Sequence, residues 1–275
     1  MVQYFQIETE GAAAMSETYR QIVEQWQDRE WNTVEDVKTA LDIFRILFAY
    51  HSNVIENPEI TYHDTREIFE NGKVINFTGN MRSLLEIENQ KNAFEKLCVY
   101  LVEKRELSPE LIKKMHRILM RGCYDEVGYG KGERPGEFKF HDYVTGDNVG
   151  SLPQDVPDEI AALCDEVNAY QGEDILTAAA YLHLNFEAIH PFADGNGRVG
   201  RTLLNYYLMT HHYPPTILFN EDKRTYYLAL ATFDKTGRID GFVQFLKEQT
   251  IKTWERKPAA RKTLSEQLEE RGAED

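Results

Sequence analysis

His190-Pro191-Phe192-Ala193-Asp194-Gly195-Asn196-Gly197-Arg198-Val199-Gly200-Arg201 interrupts two stretches that otherwise read as helix. Upstream, Asp174 to Ala188 carries Leu176, Ala179, Ala180, Leu184 and Phe186, an apolar set suited to a central helix. Pro191 lacks the N–H and the steric room to continue that helix, so the chain must turn at His190. Downstream, Gly197 to His211 resumes a helical pattern.

The turn between them has a specific chemistry. Gly195, Asn196 and Gly197 all tolerate left-handed backbone, and such a turn gathers successive N–H groups into a concavity that binds anions. The partial positive charge at the start of the following helix adds to the same spot. Arg198 and Arg201, spaced i, i+3, put two guanidiniums beside it, which suits a polyphosphate. A carboxylate at Asp194 in a cationic pocket makes sense if a hard cation such as Mg²⁺ bridges it to phosphates. His190, at the mouth, is placed to take a proton from an attacking hydroxyl. Phe192 reads as an apolar anchor for the loop. A Gly-x-Gly loop, an arginine pair or a single histidine is usually ordinary turn and surface chemistry; their joint occurrence within one loop is what points to a site.

Outward from the loop, most of the chain reads as helix. Ser16 to Trp31, Thr33 to Ala49, Arg82 to Arg105, Asp158 to Ala169, Glu221 to Phe233 and Gly241 to Lys252 carry helical periodicity. Another helix is punctuated by Ser108 as cap, Pro109 in the first turn and Gly122 as terminator. Gly128 to Pro157 differs, with six glycines and three prolines around a β-like run, Glu137 to Val144, which predicts a β-hairpin. Beyond Glu255 the chain is almost wholly polar. The expected division is 1–57 for the N-terminal helices, 58–254 for a catalytic domain and 255–275 for a tail.

The bulk numbers narrow the function. A net charge of −15 over 275 residues repels phosphate backbones, so nucleic acid is not an expected partner and a phosphorylated ligand needs a local basic pocket. Cys98, Cys123 and Cys164 show no metal or disulfide spacing, which fits a reducing compartment. The N-terminal stretch has no signal-peptide pattern, and the longest apolar run, Leu41 to Tyr50, is too short to span a bilayer. No membrane association and a cytoplasmic location are the expectations.

The loop resembles the Fic family motif, His-x-Phe-x-Asp/Glu-Gly-Asn-Gly-Arg-x-x-Arg, at every defined position: His190, Phe192, Asp194, Gly195, Asn196, Gly197, Arg198 and Arg201. The resemblance extends roughly over residues 49–247 and implies an all-α fold with a small β-hairpin flap. It implies transfer of AMP from ATP to a Ser, Thr or Tyr hydroxyl of a target protein, with self-modification. His190 would be the base, Asp194 would hold Mg²⁺ (or Mn²⁺), and Gly195, Asn196 and Gly197 would cradle the α- and β-phosphates. Arg198 would meet the β-phosphate and Arg201 the γ-phosphate. Tyr226 and Tyr227, with Asp234 seven residues on, would line the adenine and ribose site. Gly136, Glu137, Phe138 and Lys139 would form the flap that registers the target; many relatives have Arg where Lys139 stands. Homodimers are common among such proteins.

Ser52-Asn53-Val54-Ile55-Glu56-Asn57 resembles the family's inhibitory pattern, Ser/Thr-x-x-x-Glu-Gly/Asn. The resemblance implies that Glu56 pairs with Arg201 and takes the place of a γ-phosphate. Alternatives stay open at this level. Glu56 could instead orient water to remove AMP from a modified target, and UMP or GMP could replace AMP. A phosphorylating, Doc-like chemistry is disfavoured because those relatives lack the Gly-Asn-Gly turn. A non-catalytic binding module is disfavoured by the intact His190, Asp194 and Arg201.

Overall fold

The computed structural model describes residues 2–75, 77–143 and 150–255, with side chains from residue 15 onward. Among these residues there are twelve α-helices and no strand. Helix α1 spans Val2–Gln27, α2 Val34–Ala40, α3 Asp42–Glu56, α4 Tyr62–Asn71, α5 Met81–Val102 and α6 Pro109–Leu119. They are followed by α7 (Glu126–Gly130), α8 (Val156–Asn168), α9 (Ile175–Ile189), α10 (Asn196–Thr210), a 3₁₀ turn at Asn220–Asp222, α11 (Lys223–Thr236) and α12 (Asp240–Glu255).

Helices α9 and α10 form the centre and pack most extensively on each other. Helix α9 offers Ala178, Ala179 and Ala180, small side chains that let neighbouring backbones approach, and α10 is buried on every side from Arg198 to Met209. Around this pair, α5 and α6 pack on α10, α8 and α12 on α9, and α3 closes over α10 and α5. Trp26, Phe44, Phe48 and Ile55 belong to the same apolar cluster as Phe186, Phe192 and Leu203, so the N-terminal helices share the core of the site-bearing pair.

Local chemistry sets the helix ends. Ser108 caps α6 by accepting from Leu111 N, with Pro109 in the first turn. The helix stops at Leu119, three residues before Gly122. Thr33 and Asp36 form a capping box on α2. The single helix expected over Thr33 to Ala49 is two: the path breaks at Leu41, which is fully buried, and α3 then runs on to Glu56. Helices α4 and α7 were not anticipated; Thr61 and Asp125 cap them.

The β-hairpin expected over Glu137 to Val144 is not present in its described part. Residues 137–143 form no strand, and Val144 lies outside the described residues. The backbone of this segment bonds to the signature loop instead of to a second strand: Lys139 N donates to Pro191 O at 2.9 Å, and Ser151 N, beyond it, donates to Ile189 O at 3.0 Å. The tail expected at 255–275 lies, after Glu255, outside the described residues. Among the described residues no helix is long and apolar enough to cross a membrane.

Candidate active site

His190 ends α9 in the left-handed region at φ 51°, donating its N–H to Phe186 O, and this turn throws the chain across the start of α10. Phe192 then plunges into the core with no exposed surface, stacked on His116 at 3.7 Å and flanked by Phe138 at 5.5 Å. Gly136 N donates to His116 Nδ1 at 2.7 Å, so the other ring nitrogen, Nε2, carries the proton and donates to Asp194 O at 2.9 Å. One buried imidazole thus fastens the loop to the 136–139 segment. Burial lowers its pKa to about 4, which keeps it neutral.

The three residues of the Gly-Asn-Gly turn have separate tasks. Gly195 sits at φ 84°, and a Cβ there would meet Met120 Sδ at 2.5 Å. Asn196 was expected to help cradle phosphate. Its side chain points inward, accepting from Phe192 N at 2.9 Å and donating to Phe192 O at 2.8 Å, and so closes the loop. Gly197 is an ordinary helical residue whose missing Cβ makes room: a Cβ would lie 2.4 Å from Glu56 Oε1 and 2.9 Å from Arg201 Nη1.

That carboxylate arrives from the last residue of α3. Arg201, almost wholly buried, donates Nη2 to Glu56 Oε1 at 2.8 Å and to Ser52 O at 2.9 Å, and Nε to Ser52 Oγ at 3.0 Å. Burial opposes the Arg201 charge, but Glu56 foremost and Glu187 beside it raise its pKa above the ordinary value. Lys223 holds the end of α3 in place by donating to Ile55 O. Ser52 and Glu56 therefore meet Arg201 across 149 and 145 residues of chain, and Ser52 is buried, not solvated.

The second arginine and the loop carboxylate belong to another network. Arg198 Nη1 pairs with Glu86 Oε1 at 3.0 Å, both side chains 3% exposed. Glu86 also accepts from Asn57 Nδ2 at 2.8 Å and from Arg82 Nε at 3.0 Å. Arg82 Nη2 donates to Asp194 Oδ2 at 2.7 Å, and Arg198 stands 3.7 Å from Asp194 Oδ1. Burial disfavours the Asp194 charge, yet Arg198 and Arg82 together hold its pKa below the usual carboxylate range. Sequence reasoning assigned this carboxylate an external cation as the reason for its position. The chain itself supplies a counter-charge from α5, and neither Arg82 nor Glu86 was anticipated. Their i, i+4 spacing was the only sequence signal.

His190 is half-buried; burial first, and then Lys139, lower its pKa to about 4, so it is a neutral imidazole near pH 7. Glu187, one turn earlier, has a buried Oε1 with no hydrogen-bond partner, and burial raises its pKa to about 8. The expected adenine and ribose lining is corrected in one respect. Tyr226 is 1% exposed, with its hydroxyl 2.9 Å from His183 Nε2 and its ring against Phe242 and Phe245, so it is core. Tyr227 and Asp234 are exposed. Glu137 pairs with Lys113 at 3.0 Å and Arg117 at 3.2 Å, Phe138 packs on Phe192, and Lys139 is buried beside the loop.

Residues 106–208 match the sequence profile of the Fic/DOC family. The chain carries a Fic domain. Protein adenylyltransferase fic-1 of Caenorhabditis briggsae is 30% identical over 223 residues, 80% of this chain and 42% of that protein. Protein adenylyltransferase Fic of Drosophila willistoni is 31% identical over 206 residues, 74% of this chain and 40% of that protein. The chain thus spans about two fifths of the length of these curated relatives. A solved fragment of Fic-1 from C. elegans superposes with a TM-score of 0.72 at 25% identity, over 93% of this chain and 74% of that one. A Fic-domain signalling protein from Bacteroides thetaiotaomicron shares the fold, with a TM-score of 0.73 at 24% identity over 86% of this chain and 93% of that one.

Proposed function

We propose that this Fic domain transfers the AMP group of ATP to a hydroxyl side chain of another protein and of itself, and that Glu56 holds it in an inhibited state. The observation that carries this reading is the Glu56–Arg201 pair seated on the glycine turn. The Glu56 carboxylate lies over Gly197 at the N-terminal end of α10, the position where an anion gains most from backbone N–H groups and the helix dipole. It takes the place of a phosphate. ATP whose γ-phosphate replaced it on Arg201 would present its α-phosphorus towards His190.

In that pose the neutral imidazole of His190 accepts the proton of the target hydroxyl. The hydroxyl oxygen bonds to the α-phosphorus as the bond to the β-bridging oxygen breaks, and pyrophosphate leaves. Arg198, buried and fixed by Glu86, and Arg201 take up the negative charge of the departing group. Divalent-cation binding fits the donor set: Asp194 contributes a carboxylate beside the turn, and no cluster of three or more acidic, histidine or cysteine ligands occurs among the described residues. The remaining ligands would be phosphate oxygens and water, as Mg²⁺ prefers. When bound there, the cation would neutralise phosphate charge.

The test is incubation of the full chain and of Glu56→Gly with ATP labelled on the α-phosphate, with cell lysate and without it. Labelled protein carrying an AMP mass increment is the expected product. Label released from a pre-modified protein, with none incorporated, would instead favour hydrolytic removal of AMP. Parallel assays with UTP and GTP decide the base. Tyr227 is exposed, with Lys223 over its ring at 5.5 Å and the Tyr226 ring 5.2 Å away, and is the aromatic side chain available to a base.

A further inference from the structure

We propose that Arg82 is a tethered counter-cation of Asp194, which a divalent metal must displace, so that this α5 arginine sets the metal affinity of the site. The inference rests on the reading of Asp194 as the metal carboxylate and goes beyond it by naming its competitor.

The geometry is that of a guanidinium shared between two carboxylates. Arg82 gives Nε to Glu86 Oε1 at 3.0 Å and Nη2 to Asp194 Oδ2 at 2.7 Å. The two partners differ in kind. Glu86 is 3% exposed and is itself held by Arg198 at 3.0 Å and Asn57 at 2.8 Å, so it is a fixed anchor. Asp194 and Arg82 are each 43% exposed, on the open side of the network. The Arg82–Asp194 bond can therefore break while the Arg82–Glu86 bond stays, the guanidinium swinging aside by side-chain rotation alone.

A Mg²⁺ or Mn²⁺ ion needs a lone pair of Asp194 directed into its coordination shell. Arg82 claims Oδ2, and Arg198, 3.7 Å from Oδ1, crowds the other oxygen. Metal entry then costs the exposed Arg82–Asp194 pair and the repulsion of a neighbouring guanidinium. Exposed pairs of this type are weak, so the expected penalty is a factor of about five in affinity, equivalent to about 1 kcal/mol. Arg82 is distant in sequence from the signature loop and contacts it only through this carboxylate among the bonds resolved here.

Mn²⁺ binding to the full chain is measured by calorimetry and by the paramagnetic resonance signal of the free ion, with saturating α,β-methylene ATP. The comparison uses the Glu56→Gly protein, in which the phosphate position is open, as the parent, and adds to it Arg82→Ala, Arg82→Lys, Asp194→Asn and the Arg82→Ala/Asp194→Asn pair. Arg82→Ala is expected to bind Mn²⁺ about fivefold more tightly. Arg82→Lys keeps the charge without the two-carboxylate fork and is expected between the two. Asp194→Asn is expected to lose the site with or without Arg82. Unchanged or weaker Mn²⁺ binding by Arg82→Ala, with Asp194→Asn still abolishing it, overturns the role of Arg82 and leaves the metal site standing. The parent's affinity in Asp194→Asn overturns the metal assignment, and the Arg82 proposal with it.

Discussion

At the scale of single residues, the site is made by burying polar groups next to one another. His190 has its pKa lowered to about 4 by burial and by the Lys139 charge. Because the folded value lies below the unfolded one, the native protein binds fewer protons, and stability falls as pH drops through the range from about 6.5 to about 4. The base form is already complete at pH 6. The NMR titration of the His190 ring should accordingly show no midpoint above pH 5. Transfer by His190→Ala should vanish with little change in melting temperature; wild-type-like rates would remove His190 from the mechanism. Glu187 goes the other way. Burial raises its pKa to about 8, against Arg201, which lowers it, and with Glu56 and Asp234, which raise it. Its contribution is complete below the unfolded value of 4.5 and is lost as pH rises through 8. Glu187→Gln cannot ionise, so its stability relative to wild type should improve between pH 6 and pH 9 in urea titrations. A difference that stays constant across that interval would mean that Glu187 is already charged at pH 6.

At the scale of elements, two helix ends decide the site. Helix α10 begins at Asn196, and the end of α3 delivers the Glu56 carboxylate over Gly197. Helix α6 holds His116, which ties the loop to the 136–139 segment, so the stability of α6 bears on loop geometry. Its cap is simple. Ser108 Oγ accepts from Leu111 N at 3.2 Å, and Ser108→Ala should cost about 1 kcal/mol in chemical denaturation. Ser108→Asp, which can make the same bond, should restore it. A loss by both variants alike would point away from capping.

At the scale of the molecule, the Glu56–Arg201 contact is a long-range closure. Glu56 and Arg201 are brought together by the packing of α3 over α10 and α5. In Glu56→Gly, Arg201 keeps its Ser52 bonds but loses its carboxylate while 1% exposed. Breaking a fully buried pair from one side costs about 3–5 kcal/mol, and the cost here is smaller because Glu56 is 34% exposed and Ser52 stays on Arg201. The melting temperature should fall, and ATP should recover part of the loss because its γ-phosphate supplies a new counter-charge. Labelling should rise by about 10²-fold or more, the factor that a few kcal/mol of pose preference produces. Glu56→Gln separates charge from shape, and Glu56→Gly with Arg201→Ala should be inactive. A Glu56→Gly protein that binds ATP and labels no faster than wild type would end the inhibitory reading. Activity retained in the double variant would end only the assignment of Arg201 to the γ-phosphate.

Much of this was readable from the chain. Pro191, the glycines and the charge pattern are local rules, and they placed the turn between α9 and α10 and the helix start that faces an anion. Ser108 and Pro109 marked α6 for the same reason. What sequence could not supply was the set of partners contributed by distant helices. Arg82 and Glu86 look like an ordinary surface pair on α5 until packing sets Asp194 and Arg198 against them. His116 is one histidine on a helix until the fold stacks it on Phe192. Tyr226 shares the pattern of an exposed stacking face and is core, because α11 turns it towards His183 and Phe242. The 137–143 segment has strand composition, yet its backbone bonds to the signature loop. The turn at Pro191 and the cap at Ser108 depend on neighbours within a few residues, and these the sequence determined. Which charge meets which, and which ring is buried, depends on the summed packing of several helices, and that was decided only in the tertiary structure.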